Sequence, residues 1–473
     1  MTYHIDHFGC AKNQVDAENM MSFLNLAGWS AAESAETADL IIVNSCGFIE
    51  SAKQESINAV LGWRELYPNK KILLTGCLAE RYAKELREAL PEADGIFGVS
   101  DISGITQAAF DTMQTSLYSG NTADRNISET PSQKLSGSQR ISGPTPQGQR
   151  SEGSRPLLSM PGSAYVKISE GCNNRCSFCA IPLIRGDLRS RPVSAILKEC
   201  KELLGRGIRE LCLVGQDSGS YGNDFTPIKS AGTTQAHDLS YLLGELSRLK
   251  GNFWVRLLYI HPDHFPLPIL DIIDRDKRFL PYFDIPFQHG SEKILRSMNR
   301  RQSAEANLEL IRTIRMKLPD AVIRSTFMTG FPSETEEDFR LLLDFQEKAC
   351  LDWLGCFTFS REENTPAWDL KCRVDKKTAV KRKQLIEEHQ ISITEKQMER
   401  FIGRVLDVLV EEKYEPLTND SSETALYLGR LPCHAPEVDG AAVIFSCRPL
   451  QLGSMVSCRV TARTGFDLKV QVL

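Results

Sequence analysis

The sequence has no apolar run near the roughly 20 residues that a membrane-spanning helix requires, so a bilayer-embedded helical channel or transporter is excluded as a reading. Its first residues, MTYHIDHFGC, lack the basic segment and apolar stretch of a secretory leader. Neither sign of charge dominates: 56 Lys and Arg face 61 Asp and Glu, a net of −5, so a basic nucleic-acid-binding surface is not announced. Hydrophobic residues make up 41% and charged residues 25%, ordinary for a globular chain. A chain of 473 residues suggests about three domains. The chain is therefore expected to be unsecreted, its 14 cysteines to be reduced thiols, some of them metal ligands, and its compartment the cytoplasm.

Three of those cysteines stand in GCNNRCSFC, residues 171–179, as a C-x3-C-x2-C array of Cys172, Cys176 and Cys179. Three closely spaced thiolates can hold three irons of a four-iron four-sulfur cluster. The next cysteine, Cys200, falls 21 residues later inside a helical pattern. One iron is therefore left open, and an open coordination position is a place for chemistry. A zinc knuckle or buried thiols are the alternatives, but zinc sites favour paired C-x2-C units and no second pair follows.

The array, with Phe178 as its aromatic, resembles the signature of radical S-adenosylmethionine (SAM) enzymes, in which the amino and carboxylate groups of SAM bind the open iron. The continuation AIPLIRGDLRSRP, Ala180 to Pro192, resembles that of the methylthiotransferases, which add a methylthio group to an unreactive carbon.

Residues 1–112 alternate strand and helix patterns, with strands at Tyr3–Phe8, Leu40–Val43, Lys71–Thr75 and Gly95–Val99 and helices at Asn13–Leu26, Ser51–Trp63 and Ala79–Leu90. That order predicts a parallel sheet with helices on its faces. Cys10, Cys46 and Cys77 each follow one of the first three strands, beside Gly9, Gly47 and Gly76. Loops at the carboxyl ends of parallel strands share one edge, so the three cysteines can converge on a ligand. Three small buried residues is the competing reading, as is a zinc site completed by His4 or His7. GCAKNQVDAE, NSCGFIESAK and TGCLAERY resemble the N-terminal domain of the methylthiotransferases, and the resemblance implies an auxiliary four-iron four-sulfur cluster on Cys10, Cys46 and Cys77. The family usually has Pro at the position of Ala11 and Ser at that of Ala17; neither is a ligand.

Residues 113–160 are rich in Ser, Gly, Pro, Thr and Gln and read as a flexible linker, mildly basic through four arginines between Arg125 and Arg155 that suit solvation. Residues 161–393 give six strand patterns alternating with helices, a partial α/β barrel whose site residues are expected in the loops after the strands. Those loops carry Gln216, Asp217 and Tyr221; His261 and His264; Gln288 and His289; and Arg324, Ser325, Gly330 and Glu334. Each also has a structural reading. Gln216 and Asp217 can cap helices, and Ser333 or Thr335 can open one. Gln216-Asp217-x3-Tyr221, Pro286-x-Gln288-His289 and Gly330-Phe331-Pro332-x-Glu334-Thr335 resemble family motifs, with Gly290 where alanine is usual. The SAM and substrate cavity is accordingly assigned Gln216, Gln288, His289 and Arg324, with Phe178, Asp217, Tyr221 and Gly330 as further cofactor-binding residues. Arg185, Arg189 and Arg191 follow the cluster loop; they are either a solvated basic face or contacts for an anionic substrate or the SAM carboxylate.

A charged helix spans 375–399, and residues 400–473 shift to short strands, the pattern of a small all-β barrel. GRLPCHAPEVDG resembles the TRAM domain that closes these enzymes. Seven Lys and Arg against nine Asp and Glu, from Arg404 to Lys469, suit a basic protein partner better than RNA phosphates.

The fold class expected is thus α/β: an N-terminal parallel domain (1–112), a linker (113–160), a radical SAM partial barrel (161–393) and a TRAM barrel (400–473). RSRP, LLLDF and APEVDG resemble the branch that modifies the β-carbon of an aspartate in small-subunit ribosomal protein twelve. That resemblance implies two 4Fe-4S clusters, SAM as radical source and methyl donor, and an external electron donor; the lack of a membrane-length apolar run leads us to expect no membrane partner. Methylthiolation of tRNA adenosine at its 2-position is the alternative activity. A non-catalytic iron–sulfur electron carrier or RNA-binding module is the alternative class; a pure carrier has no need of an open iron.

Overall fold

The computed structural model describes residues 1–115, 155–226, 228–230, 233–235, 237–414 and 425–473. They form two compact units: Met1–Leu158 with Ala180–Arg189, and Ser159–Cys179 with Ser190–Leu473.

In the first unit β1 (Thr2–His7), β2 (Ser30–Ala31), β3 (Leu40–Ser45), β4 (Lys71–Gly76) and β5 (Gly95–Phe97) make a sheet in the order β2-β1-β3-β4-β5. Every pairing is parallel. Alternation along the strands builds two cores. Leu40, Ile42 and Leu73 face one core with Met20 and Leu24, and Ile41, Val43, Ile72 and Leu74 face the other with Val60 and Leu86. The helices are α1 (Ala11–Leu26), α2 (Glu50–Leu66), α3 (Cys77–Arg81), α4 (Ala83–Ala89) and α5 (Ile105–Gln114). The single helix expected over 79–90 is two, broken at Tyr82 (φ −128°). The Glu80 carboxylate there turns away to accept the Val99 and Ser100 N–H groups.

The linker expected over 113–160 lies largely outside the described residues, and both of its described ends are structured. The last helix runs to Gln114. Arg155 is buried and pairs at 2.6 Å with Glu18 on α1, whose other oxygen accepts the Leu158 N–H at 2.9 Å. Arg155 is therefore an anchor of the N-terminal unit and not a solvating charge. The contiguous core expected over 161–393 is likewise interrupted, because α6 (Ile181–Arg185) packs Ala180 and Ile184 into the N-terminal core.

In the second unit β6 (Ser163–Lys167), β9 (Glu210–Val214), β12 (Trp254–Leu257), β13 (Phe279–Asp284), β14 (Val322–Thr329) and β15 (Trp353–Thr358) form a six-stranded parallel sheet in the order β15-β14-β13-β12-β9-β6. Among the described residues its two edges do not pair, so the barrel is partial. Between these strands lie β7 (Ser169–Glu170), β8 (Arg189–Ser190), and a hairpin of β10 (Ile228–Ser230) and β11 (Thr233–Gln235). The helices are α7 (Val193–Gly205), α8 (Leu239–Ser247), α9 (Ile269–Arg275), α10 (Glu292–Ser297), α11 (Ala304–Lys317) and α12 (Glu336–Ala349). All six expected core strands are present; the hairpin and α10 were not foreseen. Gly290 sits where a Cβ would come within 2.6 Å of Leu341 O and Phe345 Cβ on α12, so the glycine sets how closely that helix approaches.

The long helix α13 (Lys376–Glu399), capped by Asp375, leads to a closed five-stranded barrel of β16 (Val405–Tyr414), β17 (Ala425–Arg430), β18 (Ala442–Ser446), β19 (Met455–Thr464) and β20 (Asp467–Val472). No helix among the described residues is long and apolar enough to cross a membrane.

Candidate active site

Cys10, Cys46 and Cys77 do meet at the carboxyl edge of the first sheet. Cys10 caps α1, Cys46 follows β3 and Cys77 opens α3. A Cβ on Gly9 (φ +97°) would lie 3.0 Å from Cys46 Cβ, and one on Gly47 would lie 2.7 Å from the Cys77 carbonyl, so both glycines permit this convergence. Asn13 ties the loops together: its amide donates to Phe8 O at 2.6 Å and to Ser45 O at 3.2 Å, and Asn44 returns a bond to Asn13 O. Burial drives the Cys46 thiol up to about 12 and the Cys77 thiol up as well. Cys10 is exposed at the rim of this edge, and its thiol is lowered, because Lys12 and Arg185 outweigh the desolvation imposed by its neighbours. Three sulfurs at this edge, each within electrostatic reach of the others, suit a cation-rich cluster.

Cys172, Cys176 and Cys179 occupy the loop after β6 and β7. The loop is preformed. Asn299 Nδ2 holds the Asn174 and Arg175 carbonyls, Ser177 N–H bonds Met298 O at 3.1 Å, and Ala367 N–H bonds Ser177 O at 2.8 Å. Phe178 sits under it with Ile294, Met298 and Phe331. Burial raises the Cys172 thiol to about 11. Cys200 is fully buried in α7 and provides no fourth ligand to the loop. No three His, Cys, Asp or Glu side chains among the described residues are drawn together as a single metal ion would need; an iron–sulfur cube holds its thiolates further apart than one tetrahedral ion does.

Asp217 is a hub. Oδ1 accepts from Gly219 N–H and His261 N–H, and Oδ2 accepts from Asn174 Nδ2 at 2.9 Å and Ser220 Oγ at 2.5 Å, with His264 Nδ1 also at 2.9 Å. Burial opposes its charge, but these bonds win and hold the carboxyl at about 2. Its oxygens are thus spent on the cluster loop and the loops after β9 and β12. Asp217→Asn puts an amide donor against Asn174, at about 1.5–3 kcal/mol for each charge-assisted bond lost. We expect less iron held at Cys172, Cys176 and Cys179, read by iron content and low-temperature electron paramagnetic resonance (EPR), with the fold kept.

Gln216 Nε2 donates to Glu170 at 3.2 Å while its Oε1 is buried without a partner among the described residues. Gln288, left-handed at φ 69° and 7% exposed, likewise has an unpartnered Oε1. Left-handed non-glycine residues recur at these loops, at Tyr259, Gln288 and Ser333, and such strain gathers at functional sites. His289 is fully buried and held in place, with Ser291 N–H on Nδ1 at 2.9 Å and Glu334 3.6 Å from Nε2. Glu334 also accepts Gly330 N–H and pairs with Arg382, and Thr335 forms a capping box with Asp338. Gly330 (φ +77°) is needed where a Cβ would meet Ala379 at 2.4 Å.

Other expected site residues are engaged elsewhere. Arg324 lies near the start of β14, pairs at 2.7 Å with Asp439 of the small barrel and does not reach the carboxyl ends of the strands. Tyr221 gives its hydroxyl to Arg191 O at 2.6 Å. Of the three arginines, Arg185 and Arg191 are buried ion pairs, Arg191 with Glu199 at 2.8 Å and Arg185 with Asp16 at 2.9 Å, so these two do not form a solvated basic face. Arg189 is half-buried. Glu170, Asn174 and Asn13 were missed; the asparagines lie within the two cysteine motifs, which was the available signal.

Residues 2–98 match the family described as uncharacterized protein family UPF0004, residues 166–345 the radical SAM superfamily and residues 402–473 the TRAM domain. A solved radical SAM methyltransferase, TsrM from Kitasatospora setae with cobalamin and a 4Fe-4S cluster bound, shares the fold at a TM-score of 0.53 and 16% identity, over 77% of this chain and 73% of that one. The ribosomal protein uS12 methylthiotransferase RimO of Treponema denticola is 46% identical over 98% of this chain and 99% of its own. The RimO of Syntrophomonas wolfei is 37% identical over 97% of each. The chain belongs to the RimO family of radical SAM ribosomal protein uS12 methylthiotransferases.

Proposed function

We propose that this chain adds a methylthio group to the β-carbon of an aspartate in ribosomal protein uS12. The observation that carries the reading is a pair of three-cysteine sets, each at the carboxyl edge of its own parallel sheet, in a chain alike over nearly its full length to uS12 methylthiotransferases. When bound, the clusters and SAM supply the radical that removes an unactivated hydrogen and the methylthio group that replaces it. The protein's part is positional. Cys172, Cys176 and Cys179 hold one cluster and Cys10, Cys46 and Cys77 the other. Asp217 and Asn299 fix the loop of the first. The free oxygens of Gln216 and Gln288 are acceptors for SAM hydroxyl or amino groups, and His289 braces the Gln288 turn. An external donor supplies electrons, and a ribosomal substrate sets the reaction in the cytoplasm. We divide the chain into an auxiliary-cluster domain, a radical SAM core and a TRAM barrel, with α6 belonging to the first.

The barrel's charge supports a protein partner. Arg430, Arg404 and Arg463, three of its seven cations, are committed to Glu210 and Glu411, to Asp320, and to Glu395, which leaves four for phosphates in a barrel with nine Asp and Glu. The test offers anaerobically reconstituted, reduced enzyme with SAM and sulfide either uS12 or undermodified tRNA, and mass spectrometry locates the added methylthio group. An aspartate of uS12 is expected to carry it. A modified tRNA with unmodified uS12 overturns the substrate and leaves the chemistry.

A further inference from the structure

Arg185 ends α6, six residues beyond Cys179 in the chain, yet its side chain belongs to the N-terminal unit. The side chain is 3% exposed. Its Nη2 lies 3.0 Å from Cys77 Sγ and 2.9 Å from the carboxylate of Asp16, which is itself fully buried on α1. A buried ion pair between α6 and α1 would need only the carboxylate. Here the same nitrogen also meets a sulfur, and the guanidinium's charge is felt at Cys10, Cys46 and Cys77.

We propose that Arg185, balanced by Asp16, sets the reduction potential of the cluster held by Cys10, Cys46 and Cys77. The inference rests on the reading that those cysteines hold a cluster. Each added electron makes the cluster and its thiolates more negative, so a fixed cation at hydrogen-bond distance from a ligand sulfur, here the buried Cys77, favours the reduced form. Arginine suits the task because its charge is permanent. Asp16 acts with the opposite sign: it orients the guanidinium and offsets part of its field. Arg185 is therefore a positioning and tuning residue that acts through Cys77.

The test uses the full chain with Cys172, Cys176 and Cys179 replaced by alanine, so that a single cluster is titrated. Iron content is measured, and the midpoint potential is followed by EPR. Arg185→Met is expected to disfavour the reduced form about tenfold, ~59 mV for a one-electron couple. Arg185→Lys should recover most of that loss, and Asp16→Asn should shift the potential upward. Opposite shifts from two partners of one ion pair are what a purely structural contact would not produce. If Arg185→Met does not assemble a cluster, the Asp16→Asn shift still decides. A cluster that assembles with its potential unmoved by either substitution overturns the inference. A triple-alanine chain that binds no iron overturns the ligand assignment itself, and the inference with it.

Discussion

Cys176→Ala is expected to abolish reductive cleavage of SAM, and Cys46→Ala to leave cleavage intact while methylthiolation is lost. Cys176 is buried in a loop whose backbone is already fixed by Asn299, Met298 and Ala367, so removing one sulfur takes away a ligand without releasing the loop. Cys200, the next cysteine in the chain, is locked inside α7 and is not placed to replace it. Three ligands are the minimum that leaves one iron open. Cys46 serves a separate sheet edge, and Gly9 and Asn13 shape its surroundings without it. The measurement is 5′-deoxyadenosine released by reduced protein, with methylthiolated uS12 quantified in parallel. Cleavage that survives Cys176→Ala would remove the radical site from this loop. Normal methylthiolation with Cys46→Ala would remove the auxiliary cluster from the first sheet.

The separation of those two outcomes was visible in the sequence, because both cysteine sets follow strand patterns with glycine beside them, and strand ends of parallel sheets share an edge. The six strands of the second sheet and four of the five in the first were legible for the same reason: LIIVNS and KILLTG are buried on both faces and read as continuous apolar runs, whereas the two-residue, exposed β2 carries no such pattern. Side-chain commitments were not legible. Whether Arg324 faces the mouth or the base depends on where along an eight-residue strand it falls and on Asp439, 115 residues later, which no local pattern reports. The burial of Arg185 and Arg191 was not legible because their partners, Asp16 on α1 and Glu199 on α7, lie outside the segment that carries the arginines. Asp217 did read as a capping group, and its side chain does cap the turn at Gly219. Its larger role came from Asn174 and His264, brought in by two other loops.

The second large effect falls on stability. Glu210, the first residue of β9, is fully buried and accepts from Arg256 of β12 at 2.8 Å and from Arg430 of the small barrel. Arg430 also pairs with Glu411 at 2.8 Å, and Arg256 stacks on Tyr282 and donates to Pro432 O. This network fastens the TRAM barrel to the sheet. Burial opposes the Glu210 charge, but the two guanidinium groups hold its carboxyl at about 2, against an ordinary 4.5. A depressed carboxylate contributes stability that is whole above its unfolded value and is lost as pH falls through its folded value. Acid unfolding should therefore steepen between about pH 4.5 and 2, the range that those two values bound. Glu210→Ala strands the buried Arg256 charge and leaves Arg430 with Glu411 alone, and is expected to cost about 3–5 kcal/mol in urea denaturation. Replacing the network as a unit, with Glu210→Leu, Arg256→Met, Arg430→Met and Glu411→Gln, should recover much of that loss, because the penalty lies in the unpaired charge and not in the missing contact. A Glu210→Ala chain as stable as its parent would mean that water reaches the two arginines and that the barrel is held by its apolar contacts alone.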